Sequence, residues 1–354
     1  MRIRTKGSDM NSNERRPTIE AVAARAGVGR GTVSRVINGS PKVSARAREA
    51  VEAAIQELGY VPNRAARSLV TSRTDAIALV IPEPESRLLA EPYFADIIRG
   101  VSAELSANAG AVDLQLLLIL VRTEEERKRL TNFLTARRVD GVLLAAVHDR
   151  DPLPDLMEKL DMPTVLGGRR SDRERLSHVQ PDNAGGAEAA TTHLLERGRR
   201  HIATITGPRE MEASRSRLRG YQRALAAYGT AVDDASPLVA EADFTEEGGR
   251  AAMAELLARQ PGLDAVFAAS DVMAAGALAA LRAAGRRVPE DVAVVGFDDS
   301  MIARHTTPPL SSVRQPIEEM GREMVRLLLD EIEERGRSHR RVVLATELVA
   351  RESS

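Results

Sequence analysis

Between positions 17 and 60 the chain repeats one pattern three times, with apolar residues every three or four positions and each run closed by glycine or proline. That period is helical, and the punctuation predicts three short helices in quick succession. The first starts behind Thr18, whose hydroxyl suits an N-cap, with Glu20 in the first turn and Ile19, Val22, Ala23 and Ala26 on one stripe. Gly27 ends it by supplying the positive φ that a tight turn between crossed helices needs, and Val28 plugs the angle. The second runs from about Arg30 to Asn38. Its Val33, Val36 and Ile37 face inward, which turns Arg30, Gly31, Ser34 and Arg35 outward. The third, capped by Ser44, ends between Leu58 and Gly59, and Val51, Ile55 and Leu58 close a miniature core.

From Asp75 onward the pattern changes to short β-branched apolar runs alternating with longer Ala/Leu/Glu/Arg stretches, as in a parallel α/β fold. The strands this predicts are 76–81, 114–121, 141–146, 164–166, 201–205, 265–268, 292–297 and 342–344. Ligands of such sheets bind beyond the carboxyl ends of the strands. Pro82, Arg169, Asp182, Ser270, Asp271, Asp298 and Asp299 stand there. An aspartate after a strand is often only a helix cap, so both readings stand for Asp182, Asp271 and Asp299.

Composition sharpens this division. A chain of 354 residues, 43% hydrophobic, exceeds what one core organises and predicts two or three folded units. The net charge of -1 hides an asymmetry, because residues 17–72 carry eight basic side chains against four acidic ones while the remainder is acidic on balance. There is no cysteine, which excludes disulfides, thiolate metal sites and a catalytic thiol. Residues 1–16 are polar and read as a disordered tail, and no window is apolar enough for a signal peptide or a membrane span. A soluble, cytoplasmic protein without a membrane partner is expected.

Ala23, Gly27, Val28, Val33 and Val36 have the spacing of a DNA-binding helix-turn-helix, with an arginine-bearing second helix on a basic module. A plain three-helix bundle has no need of that exposed helix. An enzyme finds little support: Gly167-Gly168 and Gly185-Gly186 are isolated pairs, no phosphate-binding glycine motif occurs, and the six histidines are scattered without metal-ligand spacing. No cofactor and no metal are expected. An extracytoplasmic solute-binding protein would need a leader and has no use for residues 17–72. A chromatin-bending protein would have no use for a sensor of about 280 residues.

The run TIEAVAARAGVGRGTVSRVING, followed by VSARAREAVEAAIQELGYVPNRAARSL, resembles the DNA-binding segment of the lactose-repressor (LacI/GalR) family. The later segments VQPDNAGGAEAATTHLLERG, ITGP, SRLRGY, FAASDVMAAGAL, VPEDVAVVGFDDS, PPLSSVRQP and LATELVAR resemble its effector domain in order and spacing. The resemblance implies an all-α helix-turn-helix domain over 17–62, a hinge helix and linker over 63–74, and a periplasmic-binding-protein-like sensor over 75–354. In that sensor lobe N would comprise 75–181 and 313–336, and lobe C 182–312 and 337–354. It further implies that Arg30, Gly31 and Arg35 face base edges in the major groove, with Arg35 suited to guanine. Thr32, Ser34 and Asn38 would mostly hold phosphates, and Thr18 stands with them among the DNA-binding residues. Asn63, Arg67 and Leu69 would act in the hinge helix, where Leu69 is the wedge that unstacks a base step in the minor groove.

For the sensor the resemblance implies a homodimer on palindromic double-stranded DNA, released by a small sugar. Arg217 and Asp298 would hold hydroxyls and Phe244 would stack on a ring, with Tyr93, Phe94, Arg169, Ser270 and Gln315 lining the cleft. The chemistry suits a saccharide, whose vicinal hydroxyls match a guanidinium fork and a carboxylate and whose C–H faces lie on an aromatic ring. This chain departs from its relatives at Gly29, which leaves base reading to Arg30 and Arg35, and, behind the strands, at Ala145 and at Gly168 followed by Arg169, which leaves room for a disaccharide or longer oligosaccharide.

Overall fold

Three helices, α1 (Ile19–Ala26), α2 (Arg30–Ile37) and α3 (Ala45–Leu58), form as the pattern predicts. Thr18 accepts the Ala21 N–H and Ser44 the Ala47 N–H, which satisfies donors that a helix start leaves open. Gly27 and Gly59 close α1 and α3 at φ 65° and 60°, where a side chain would be strained. Val22, Ala23, Val33, Val36, Val51 and Ala54 are the buried core of this unit. The computed structural model describes residues 17–37, 40–60, 73–108, 114–334 and 339–354; residues from Asp75 onward form a second unit.

The second unit opens with β1 (Ala76–Ile81), α4 (Glu85–Ala90), α5 (Pro92–Ala107), β2 (Gln115–Leu120), α6 (Glu124–Thr135), β3 (Gly141–Ala145), α7 (Leu153–Lys159), β4 (Thr164–Gly167) and β5 (Ser177–Pro181). It continues through α8 (Asn183–Glu196), β6 (Ile202–Thr206), α9 (Glu212–Ala227), β7 (Val239–Glu241), α10 (Glu246–Arg259), β8 (Ala265–Ala268), α11 (Asp271–Ala283) and β9 (Ala293–Asp298). Then come α12 (Met301–His305), β10 (Ser311–Arg314), α13 (Ile317–Glu333), β11 (Arg341–Leu344) and β12 (Glu347–Val349). Lobe N holds a sheet in the order β2-β1-β3-β4-β5-β11, and lobe C one in the order β7-β6-β8-β9-β10-β12. Every pair is parallel except β10 with β12, so the central strands are covered by helices and read as continuous apolar runs such as AIALVI.

Helices cross the sheets in close pairs, and glycine sets their approach. A Cβ at Gly100 of α5 would lie 2.0 Å from the Glu318 carbonyl oxygen of α13, and one at Gly276 of α11 2.0 Å from that of Glu246 in α10. At Gly220 of α9 the nearest atom is the Ala184 carbonyl oxygen of α8, at 2.2 Å.

Two expected lobe boundaries are corrected. β10 lies wholly in lobe C, because Val313 pairs with Phe297 and Arg314 with Asp298. β11 lies in lobe N, because Arg341 to Leu344 pair with His178 to Pro181. The chain therefore changes lobe after Pro181, after Arg314 and after Leu344 rather than at 312–313 and 336–337. The crossings are adjacent: the Asp182 N–H donates to the Leu344 carbonyl at 2.8 Å, and the Thr346 hydroxyl to that of Asp182 at 3.3 Å. Four strands not anticipated from sequence, β5, β7, β10 and β12, are short and partly polar, as in SHVQP and SSVR.

Candidate functional site

In the amino-terminal unit, α2 turns Arg30, Gly31 and Arg35 outward, all three exposed, while Val33 and Val36 hold the helix down. A Cβ at Gly29 or Gly31 would meet nothing within 4 Å, so a flat, side-chain-free surface flanks the two arginines. Arg30 is held 3.4 Å from Glu20, which its own backbone N–H and the Thr18 hydroxyl keep below the usual carboxylate range. Thr18 is occupied as the cap of α1, and Thr32 and Ser34 are half-buried on the flanks of α2. Asn38, Asn63, Arg67 and Leu69 lie outside the described residues.

In the second unit the carboxyl ends of both sheets face a cleft of about 870 Å³, counted with its open mouth. It gathers the eight side chains that the family resemblance implied for the effector, Tyr93, Phe94, Arg169, Arg217, Phe244, Ser270, Asp298 and Gln315, but not Pro82, Asp182, Asp271 or Asp299. Arg217, on α9 and 6% exposed, donates its Nε to Asn183 Oδ1 at 2.8 Å and Nη1 to the Ala269 carbonyl at 2.5 Å. Its guanidinium lies 3.8 Å from the Phe297 ring centroid and 3.9 Å from Asp298 Oδ1. Asp298 ends β9 at φ 116°, a left-handed backbone that carries strain in a non-glycine residue, and its Oδ1 accepts the Gln315 amide at 2.5 Å.

Burial raises the Asp298 carboxyl to about 6 against the pull of Arg217 and Gln315. Burial likewise lifts Glu91 to about 7, opposed by Arg87 and reinforced by the charges of Asp298 and Glu83. Burial also pushes the Tyr93 hydroxyl up and the Arg217 guanidinium down. Three arginines, Arg87, Arg169 and Arg217, thus face three carboxyls, Glu91, Glu212 and Asp298, around one cleft. A neutral, polyhydroxylated ligand can both donate to and accept from such a wall.

The remaining residues divide by task. Asp182 caps α8 by accepting the Gly185 N–H at 2.8 Å. Asp271 is fully buried and braces lobe C, accepting from Ser312 at 2.5 Å and from the Ser300 N–H at 2.7 Å. Asp299 is held by Arg314 and Arg351. Ser270 caps α11 at the cleft edge. Phe94 is fully buried, edge-on to Tyr93 at 5.2 Å, and so belongs to the core as well as to the cleft floor. Phe244, at φ 64°, has the Arg87 guanidinium 5.1 Å from its ring centroid, which leaves no room for a sugar ring between them.

Sequence reading missed Arg87, Glu91, Asn183 and Glu212. A signal existed for the first two: Glu83, Arg87 and Glu91 repeat every four residues just behind β1, and Arg87 joins both carboxylates, the Glu83 contact at 2.6 Å.

Two lobes facing one cleft lined by apolar walls and a few charged side chains, in a chain that also carries an exposed arginine-bearing helix, define a ligand-responsive DNA-binding regulator. Residues 18–63 match the family described as bacterial regulatory proteins, lacI family, and residues 191–354 a periplasmic binding protein-like domain. The HTH-type transcriptional regulator CelR of Thermobifida fusca is 54% identical over 341 residues, covering 96% of this chain and 98% of that protein. A solved structure described as a transcriptional regulator CelR-cellobiose complex is 52% identical, with a TM-score of 0.76 over 96% of this chain and all of that one. A lac repressor dimer bound to operator is 27% identical, with a TM-score of 0.81 over 96% of this chain and 99% of that one. The chain belongs to the lacI family of bacterial transcriptional regulators.

Proposed function

We propose that this chain is a cytoplasmic repressor of carbohydrate-utilisation genes that binds a palindromic operator as a homodimer and is released by a β-linked glucose disaccharide of the cellobiose type. The observation that carries the effector reading is the cleft itself, where Arg217, Asp298 and Gln315 set a donor, an acceptor and an amide side by side among apolar walls. The cellobiose complex of the relative supports two sugar rings. The dimer reading is supported by the likeness to the operator-bound lac repressor dimer. A helix with two arginine readers gains specificity by doubling on a twofold site.

On this reading α2 enters the major groove, where Arg35 contacts guanine and Arg30 a neighbouring base edge, while Thr18, Thr32, Ser34 and Asn38 hold phosphates. Asn63 and Arg67 anchor the hinge and Leu69 opens the minor groove. Tyr93, Phe94, Arg169 and Ser270 close the cleft around the sugar, and Phe244 offers the face away from Arg87. Sugar bound between the lobes favours one lobe arrangement by its differential affinity, and that shift lowers the operator-competent population.

Selection of bound duplexes from a random pool, followed by calorimetry with cellobiose, glucose and a nucleoside, tests this. A twofold-symmetric site released by cellobiose is expected. Indifference among sequences would remove the DNA reading, and heat with the nucleoside but with no sugar would remove the effector reading.

A further inference from the structure

Outside the cleft lining, one arginine ties the two lobes together. Arg215 stands one turn into α9 of lobe C and has five N–H donors, and each finds an acceptor. Its Nη1 and Nη2 take the two oxygens of Asp149 at 2.5 and 2.7 Å, a bidentate pair to the loop behind β3 of lobe N. A second Nη2 proton goes to the Arg170 carbonyl behind β4, at 2.9 Å, and this also belongs to lobe N. The other two stay in lobe C, on Glu212 Oε2 from Nε at 3.0 Å and on the Arg209 carbonyl from Nη1 at 2.7 Å. A backbone bond runs beside them, from the Asp149 N–H to the Glu210 carbonyl at 2.9 Å. Arg169 reaches Glu212 from the opposite lobe at 3.3 Å.

Most surface ion pairs contribute little, because two mobile side chains must be ordered in water. This one differs in geometry: the fork is bidentate, every donor is used, and carbonyls of both lobes fix its plane. Neither Asp149 nor Arg215 lines the cleft, but Glu212, which holds Arg215 and Arg169, does. The pair is therefore joined to the cleft through one carboxylate.

We propose that Asp149 and Arg215 are positioning residues: they latch the lobes across the mouth of the cleft, and so set effector affinity without touching the effector. A sugar held by Arg217 and Asp298 of lobe C and by Tyr93 of lobe N is gripped only while the lobes are together. Apparent affinity then scales with the fraction of molecules in that arrangement, which the latch raises. By linkage the same latch opposes operator binding, since the effector reading proposed above has sugar favouring release.

The test uses full-length D149N, R215Q and the double variant. Cellobiose affinity, read by calorimetry, should fall about tenfold in R215Q, which loses both the Asp149 and the Arg170 contacts, by less in D149N, and no further in the double variant than in R215Q. Operator affinity without sugar should hold or rise. A purely structural role would lower both affinities and the unfolding temperature together, and that result overturns the proposal, as does a change in cellobiose affinity below twofold. Hydrogen exchange at the Asp149 amide supplies a readout that needs no ligand: R215Q should speed it at least tenfold, and unchanged protection overturns the latch. If the unaltered protein binds no cellobiose, the effector reading fails while this exchange comparison still decides the latch.

Discussion

Arg35 is exposed on α2 beside the open surface of Gly31, which leaves its guanidinium facing outward. Arg35→Ala should weaken operator binding by about 1–3 kcal/mol and relax preference at one base pair per half-site, measured by repeating the selection with the variant. Loss of affinity equal on all sequences would make it a phosphate contact. In the cleft, Glu91 is held up near 7 against an ordinary carboxylate value of 4.5, so folding takes up a proton between those values. Its contribution is favourable below pH 4.5 and is lost as pH rises through about 7. Glu91→Gln, which cannot ionise, should therefore melt above the unaltered protein at pH 8 and level with it at pH 5. Asp298 titrates near 6, and a sugar hydroxyl donating to it favours the ionised form. Cellobiose binding at pH 6 should accordingly release protons, visible as heats that change with the ionisation enthalpy of the buffer. The gathering of Arg217, Asp298 and Gln315 was legible through family resemblance at nearly fixed spacing. Glu91 and Arg87 were not, because a charged run such as PEPESRLLAEP reads as a solvated loop until its turn-by-turn ion pairs are noticed.

Among elements, the helix pairs depend on absent side chains. Gly100→Ala would drive a methyl into the Glu318 carbonyl and should cost about 1–3 kcal/mol in chemical denaturation, by separating α5 from α13. Gly262→Ala, which meets nothing within 4 Å, is the control. Helices and central strands could be read from the chain because each carries a full apolar period, as in VAVVGF or AVFA. Three of the strands that escaped sit near the lobe crossings, where β10 contributes a single fully apolar residue and β5 contains His178 and Gln180, and the fourth, β7, is a three-residue edge strand. Their place is set by partners distant in sequence, such as Val313 on Phe297, and local pattern cannot report such pairing.

As a whole, the chain joins a helical unit that has six buried core residues among the described ones to a far larger sensor. A core so small gives marginal stability. Scanning calorimetry of the intact protein should resolve two transitions, the lower from the helix-turn-helix, with cellobiose shifting only the upper. One transition moved as a block by the sugar would mean that the two units unfold together. The division at position 74 was legible from the change of period and the local charge, whereas the threading of the lobes was not, since segments 314–317 and 344–347 look like ordinary loops.

That threading has a mechanical consequence. Because three neighbouring strips of backbone link the lobes, a protease that nicks one of them leaves the halves joined by the other two. Swivelling would shear all three strips at once, whereas bending flexes them in common, so the sensor is left with one soft direction of travel.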